Sequence, residues 1–283
     1  MIVLAKRNIK IFFRDKANVF FSMMVVLITL GIYLLFLGDN LTSGMEVPNA
    51  EPLIIKWLMA GILAITSLTT TLGAFGILVN DRNQKIDKDF LATPISNSKR
   101  VAGYLLGTFI VGLVMTLFTY IIAQTYLYYE FGDLFTIMEF LLIMGITLLS
   151  VLSSTAMLFM LVELFSSPMA FETATSLISS LVGFLAGIYI PMGGLPNAVQ
   201  YFGMLFPVTH GAALYRQIMM DREITEAFQE APGEVVTEFE LAMGNIFEIG
   251  DTILSPMVSV VYLIITTLIF YGIAVLISRR KKQ

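Results

Sequence analysis

The chain has 283 residues, of which 57% are hydrophobic and 13% charged, with a mean hydropathy of +0.83 and a net charge of -4. Soluble domains carry about 25% charged residues, so a water-soluble core is excluded. The absence of cysteine also excludes a disulfide framework and a thiolate metal site.

The first sixteen residues form the first expected element. Ile2, Ala5, Ile9, Phe12 and Phe13 follow helical spacing, while Lys6, Lys10 and Arg14 repeat every four residues. Such a helix lies along the inner membrane surface, either as a basic anchor that fixes topology or as a mechanical element. Six apolar stretches follow at 17–37, 57–79, 101–123, 140–162, 173–190 and 256–277. Each has roughly the 20 residues that a helix needs to cross about 30 Å of hydrocarbon, and only helices satisfy their own backbone there. The expected fold is an all-α polytopic membrane protein occupying 1–283 as one domain: six transmembrane helices, an N-terminal interfacial helix and re-entrant helices before the last span.

With six spans, both termini lie on one side, and that side holds fourteen of the 17 Lys and Arg residues. Only Lys56, Arg216 and Arg222 lie opposite. The positive-inside rule therefore predicts cytoplasmic termini. No cleavable signal pattern precedes the first span.

Between the second and third spans, 80–94 is the most polar interval of the inner face. It predicts a short helix in which Asp81 and Lys85, then Lys85 and Asp89, pair at a spacing of four. Pro94 disfavours helical geometry at Thr93. Ile86 and Phe90 share one apolar face, for docking on a partner or on the bundle itself. Between the fourth and fifth spans, Glu163 and Glu172 flank a short inner loop. Ionisable groups at this depth invite a functional reading, although both lie near enough to a helix end to reach interfacial water.

After the fifth span, Pro191, Gly193, Gly194, Pro196 and Pro207 interrupt an apolar stretch, which predicts a re-entrant pair of half-helices over 191–208, or alternatively a kinked span with an external loop. The region 210–255 is expected outside, with nine acidic residues between Asp221 and Asp251. No internal repeat is evident, which argues against an inverted-repeat carrier. Gly103 with Gly107, and Gly183 with Gly187, have the spacing of close helix approach.

Catalytic chemistry has little to stand on. There is one histidine, His210, expected to satisfy nearby backbone groups rather than to act as a ligand or base. Zinc-protease, nucleophile-elbow and phosphate-loop patterns are absent from the sequence.

Gly187-Ile-Tyr-Ile-Pro191, then Leu195-Pro196, Phe206-Pro207, His210 and Arg216, resemble the signature near the end of permeases of the ABC-2 type exporter family. The basic N-terminal helix, the inner segment ending in Leu91-Ala-Thr-Pro-Ile95 and the six spans match in the same order. The resemblance implies a permease subunit, not itself an enzyme, that dimerises with a second copy or a paralogue and rests on a separate ATPase. ATP and magnesium would belong to that ATPase, with no cofactor on this chain. It implies that 80–93 is the coupling helix, with Ile86 and Phe90 filling a groove on the ATPase and Asp81, Arg82, Lys85 and Asp89 setting the register. It also implies that 191–207 closes the outer end of the path, with Pro191, Gly193, Gly194, Pro196 and Pro207 as the gate.

The apolar spans, with Thr66, Thr69, Thr70 and Thr71 and the aromatics Phe109 and Phe118, favour an amphipathic cargo: a drug, an antimicrobial or a lipid-like molecule. The expected setting is the plasma membrane of a bacterium, among membrane lipids and with no nucleic acid as partner. An intramembrane enzyme, a ligand sensor, and an ion-coupled carrier or channel are the competing readings.

Overall fold

The computed structural model describes residues 1–32, 50–86, 95–250 and 252–280. The last five residues of the first expected span lie outside these, as do 87–94 with Asp89, Phe90 and Pro94.

Helix α1 (Ile2–Arg14) is amphipathic as expected, but its apolar face is divided. Ala5 and Phe12 are buried together with Leu4 and Asn8, whereas Ile2 and Phe13 remain exposed. The buried side rests on Gly103 and Gly107, where an added Cβ would come within 3.0 Å of Leu4 and 3.1 Å of Asn8. This glycine pair therefore admits the interfacial helix. Asp15 ends α1, and its carboxylate accepts the backbone N–H of Asn18 at 3.0 Å, which caps α2 (Lys16–Ile32).

Helix α3 (Ala50–Asn83) is the centre of the bundle and runs about 50 Å at the rise of an α-helix. It packs against α1, α4 (Asn97–Phe131), α5 (Ile137–Val162) and α6 (Pro168–Leu185). Local chemistry sets these ends. Ser96 caps α4, Gly132 at φ 67° stops it, Thr136 and Glu139 form a capping box on α5, and Ser167 with Pro168 at the first helical position starts α6.

The fifth span thus begins five residues before the sequence expectation and ends at Leu185, because Gly187 adopts the left-handed conformation at φ 65°. The N–H of Gly187 bonds the Phe184 carbonyl and that of Ile188 the Gly183 carbonyl, a Schellman closure. Gly187 is a helix stop and not half of a packing pair.

The interrupted segment forms a 3₁₀ turn at Met192–Gly194, α7 (Asn197–Gly203) and α8 (Pro207–Met219). Helix α8 is buried against α3, α5 and the last span, α11 (Pro256–Arg280). His210–Met219 therefore belongs to the packed bundle, which corrects its reading as the start of a polar outer region. Two short helices, α9 (Asp221–Ala227) and α10 (Gly233–Met243), and a hairpin of β1 (Phe247–Ile249) and β2 (Thr252–Leu254) complete that region. Five of the described helices, α3, α4, α5, α6 and α11, are long and apolar enough to cross a membrane.

Candidate functional site

One face of α3 borders cavities over much of its length, although its residues are buried as far as Leu68 and become partly open only beyond it. Ile62, Ile65, Thr66 and Thr69 border a cavity of about 270 Å³ with Ser176, Ser179 and Ser180 of α6. Gly73, Gly76, Ile77 and Asn80 of the same face border a second cavity of about 660 Å³, which shares Ser176 with the first. Steps of three and four put these α3 residues in one stripe. From Ile62 to Asn80 the stripe measures about 27 Å at 1.5 Å per residue, close to the thickness of a bilayer's hydrocarbon core. The two cavities are thus successive parts of a groove between α3 and α6, apolar with hydroxyls along it. Thr66 and Thr69 line it. Thr70 and Thr71 are buried, and their hydroxyls donate to the carbonyls of Thr66 and Ser67. Phe109 and Phe118, on α4, do not border it.

At the end of the groove nearest α8, the chain leaving α6 folds back across it. Ile188 lies over Gly61 of α3, where an added Cβ would meet its Cγ1 at 2.4 Å, and the Tyr189 ring lies over Gly183 of α6 at 2.2 Å from such a Cβ. Each glycine makes room for one side chain of the closing segment. Ile188 and Tyr189 border the groove, whereas the five predicted gate residues do not. Pro191 precedes the 3₁₀ turn that contains Gly193 and Gly194, Pro196 precedes α7, and Pro207 opens α8. Gly193 is pressed against the backbone of Ala242 in α10, its added Cβ being only 2.6 Å from the Ala242 Cα, and neither it nor Gly194 has a positive φ.

The fold-back is pinned by Arg216 of α8, only 1% exposed. Its guanidinium donates to the carbonyls of Ala186 at 2.7 Å and Gly187 at 3.1 Å, and more weakly to that of Gly244 at 3.4 Å. These are the carbonyls left over at the C-terminal ends of α6 and α10, where the helix dipole favours a cation. Trp57 of α3 stacks beneath at 4.9 Å, and its indole N–H donates to Met243 at the end of α10. His210 is likewise satisfied: Nε2–H donates to the Met204 carbonyl at 2.9 Å, and Nδ1 accepts from the Ser259 hydroxyl at 3.0 Å. Nearby on the same end of α3, buried Lys56 forms ion pairs with Asp133 of the α4–α5 turn and Glu223 of α9, and Arg222 joins Asp133 at 2.8 Å.

At the opposite end of α3, Asp81 accepts two bonds from Arg7 of α1, at 2.7 and 2.8 Å, and a third from the Tyr104 hydroxyl of α4 at 2.6 Å. The bond to Asp81 holds the Arg7 guanidinium above its ordinary pKa. Its neighbour Arg82 turns the other way, pairing with Glu163 and donating to the Val162 carbonyl at the end of α5. Two consecutive residues therefore tie α3 to three other helices.

The Asp81–Lys85 pair expected from spacing does not form. The helix stops at Asn83, Lys85 is exposed at φ 61°, and a two-pronged contact to Arg7 outweighs an exposed pair worth about 0.3–0.5 kcal/mol. Asp81 and Arg82 are thus the end of the second span, and Asp81 is buried within the chain. Ile86 is half-buried, and the placements of Asp89 and Phe90 lie outside the described residues.

No group of three or more His, Cys, Asp or Glu residues positioned to hold a metal ion occurs among the described residues. Residues 74–276 match a family model described as ABC-2 family transporter protein. No curated protein matches the chain.

Proposed function

The chain belongs to the ABC-2 family of transporter proteins, and from that premise we propose that it is the permease of an ATP-driven exporter whose amphipathic cargo travels the groove between α3 and α6. As a multi-pass membrane subunit of an ABC transporter it works with a separate ATPase subunit. The observation that carries the finer reading is the groove itself, as long as a bilayer core is thick, closed at one end by Ile188 and Tyr189 and open at the other beside α1 and α2.

In this reading ATP and magnesium act on the partner, and this chain converts partner motion into a change of groove shape. The inner end receives that motion through Lys85, Ile86 and the following residues to Phe90. Asp81 and Arg82 pass it to α1, α4 and α5 through their charged contacts with those helices. The outer gate is the fold-back of Ile188 and Tyr189. Pro191, Gly193, Gly194, Pro196 and Pro207 shape the frame that carries it. A second copy or a paralogue covers the exposed apolar faces of α6 and α11, where Leu177, Leu181, Leu268 and Ile269 are open. The basic end of the chain lies in the cytoplasm of a bacterial cell, and the cargo is a drug, an antimicrobial or a lipid-like molecule.

The test is affinity purification of the chain from its native membrane, followed by reconstitution with whatever ATPase accompanies it. ATP-dependent cargo movement that stops when the ATPase is omitted supports the reading. Movement without ATP assigns a carrier or channel, and failure to associate with any ATPase overturns the proposal.

A further inference from the structure

The wide inner part of the groove carries charge of one sign. Asp15 and Glu172 border the 660 Å³ cavity from the α1–α2 corner and from α6, and no lysine or arginine is among its described lining residues. Lys16, next to Asp15, is exposed and does not border it. Among the described residues neither carboxylate has an ion-pair partner, in contrast to Asp81, Asp133, Glu163 and Glu223. Asp15 uses one oxygen to cap α2, and Glu172, beyond the first turn of α6, serves no cap. Thr175, between them and the hydroxyl-lined upper groove, holds its Oγ1 buried without a hydrogen-bond partner. Phe12 and Phe171 supply aromatic walls.

We infer that this inner mouth is a binding site for a cationic amphiphile, a quaternary or protonated amine head with an apolar tail. The head rests between Asp15 and Glu172, where it neutralises two carboxylates that the chain itself leaves unpaired. Aromatic faces attract the same cation. The tail extends past Ser176 into the apolar upper groove. Asp15 and Glu172 are both exposed at the mouth, so selection there is by charge rather than by desolvation: an anionic head would face two like charges. The inference rests on the groove being the cargo path, and it narrows that cargo by charge.

Because the chain has no cysteine, Ser176→Cys creates a unique thiol at the junction of the two cavities. Its alkylation by an uncharged maleimide is followed in dodecyl maltoside micelles, with decyltrimethylammonium, decylphosphocholine and decanesulfonate as probes of equal tail length. The cationic probe is expected to protect the thiol and the anionic probe to leave it open. Protection by the zwitterionic probe equal to the cationic one would assign a lipid headgroup site and overturn the proposal, as would equal protection by the anionic probe.

Asp15→Asn keeps the α2 cap, since asparagine caps as well as aspartate, and Glu172→Gln keeps shape. Each is expected to raise the protecting concentration by about fivefold, and the pair together by more than tenfold, the scale of one partly solvated charge contact each. Glu172→Lys, which leaves Asp15 facing one cation and brings the site to no net charge, should abolish the preference for the cationic probe. An unchanged cationic preference in the Asp15→Asn, Glu172→Gln double variant refutes the site. The assay contains no ATPase and no ATP, so its failure with transport intact sinks only the charge assignment. Its success without any associated ATPase sinks only the exporter reading.

Discussion

The two halves of α3 differ in how they are packed. From Leu53 to Leu68 every residue is buried, whereas from Gly73 to Asn80 burial alternates and the side facing α6 stays open. The half that is buried all round is also where cations are held by groups that cannot leave: Arg216 by helix-end carbonyls, Lys56 by two carboxylates. At the open half the charged contacts reach toward solvent, with Arg7 31% and Arg82 18% exposed. One end of the helix is a fixed anchor and the other a joint. In the proposed function, the push from the ATPase arrives at the adjustable end.

Removing the anchor is the sharpest way to break this contrast. Arg216→Met leaves the carbonyls of Ala186, Gly187 and Gly244 unsatisfied in a buried place, where each bond to a charged group is worth about 1.5–3 kcal/mol. The expected result is a loss of about 3 kcal/mol or more, read as a large fall in the thermal unfolding midpoint in detergent. Arg216→Lys should recover little of it, because an ammonium cannot bridge three carbonyls in a fork or stack on Trp57. Wild-type stability in Arg216→Met would show that this end of α3 is not held there.

The two glycines of the 3₁₀ turn separate a packing role from a hinge role. Gly193→Ala must displace the backbone of α10, since the new Cβ meets Ala242 at 2.6 Å, while Gly194→Ala meets only the Ile190 side chain at 3.1 Å. Overpacking against backbone costs about 1–3 kcal/mol. A clear drop for Gly193→Ala and little change for Gly194→Ala is expected in the same melting experiment. Equal effects would favour conformational freedom as the reason for both.

Much of this architecture was legible in the sequence. Apolar runs mark where helices cross, because length in hydrocarbon is a local property, and Pro191, Pro196 and Pro207 mark where helix breaks, because a missing N–H is also local. What closes the groove was not legible. Ile188 and Tyr189 act only because Gly61 and Gly183, on two other helices, receive them. Asp81 was read against its neighbour at a spacing of four, yet its partner Arg7 is 74 residues away. Arg216 entered as one residue of a family pattern and as a count in a charge balance; its partners are backbone carbonyls, which no side-chain pattern announces.

The joint at the open end is expected to be weaker than the anchor. Asp81→Asn keeps the shape of the side chain and removes its charge, so the Arg7 contact falls from a two-pronged ion pair to a single bond from the guanidinium to the amide oxygen, the other prong facing an NH2 that cannot accept. Such a change costs about 1–2 kcal/mol. Its coupling to Arg7→Gln in a double-mutant cycle should be of similar size, and additivity of the two variants would dissolve the joint.

The smallest expected effect lies just beyond that joint. Lys85 is the described non-glycine residue with a positive φ, at 61°, and it is exposed with its backbone N–H bonded to the Arg82 carbonyl. A side chain in this region costs about 1 kcal/mol relative to glycine, through the approach of Cβ to the carbonyl oxygen. Lys85→Gly removes that cost, but glycine also gains freedom in the unfolded chain. The net expectation is a stabilisation of at most about 0.5 kcal/mol, against a loss for the β-branched Lys85→Val, which tolerates positive φ poorly. If the turn after Asn83 is where α3 ends, valine melts below the wild type and glycine does not. If valine is as stable as lysine, the helix continues through position 85, and the spacing of Asp81, Lys85 and Asp89 regains its original meaning.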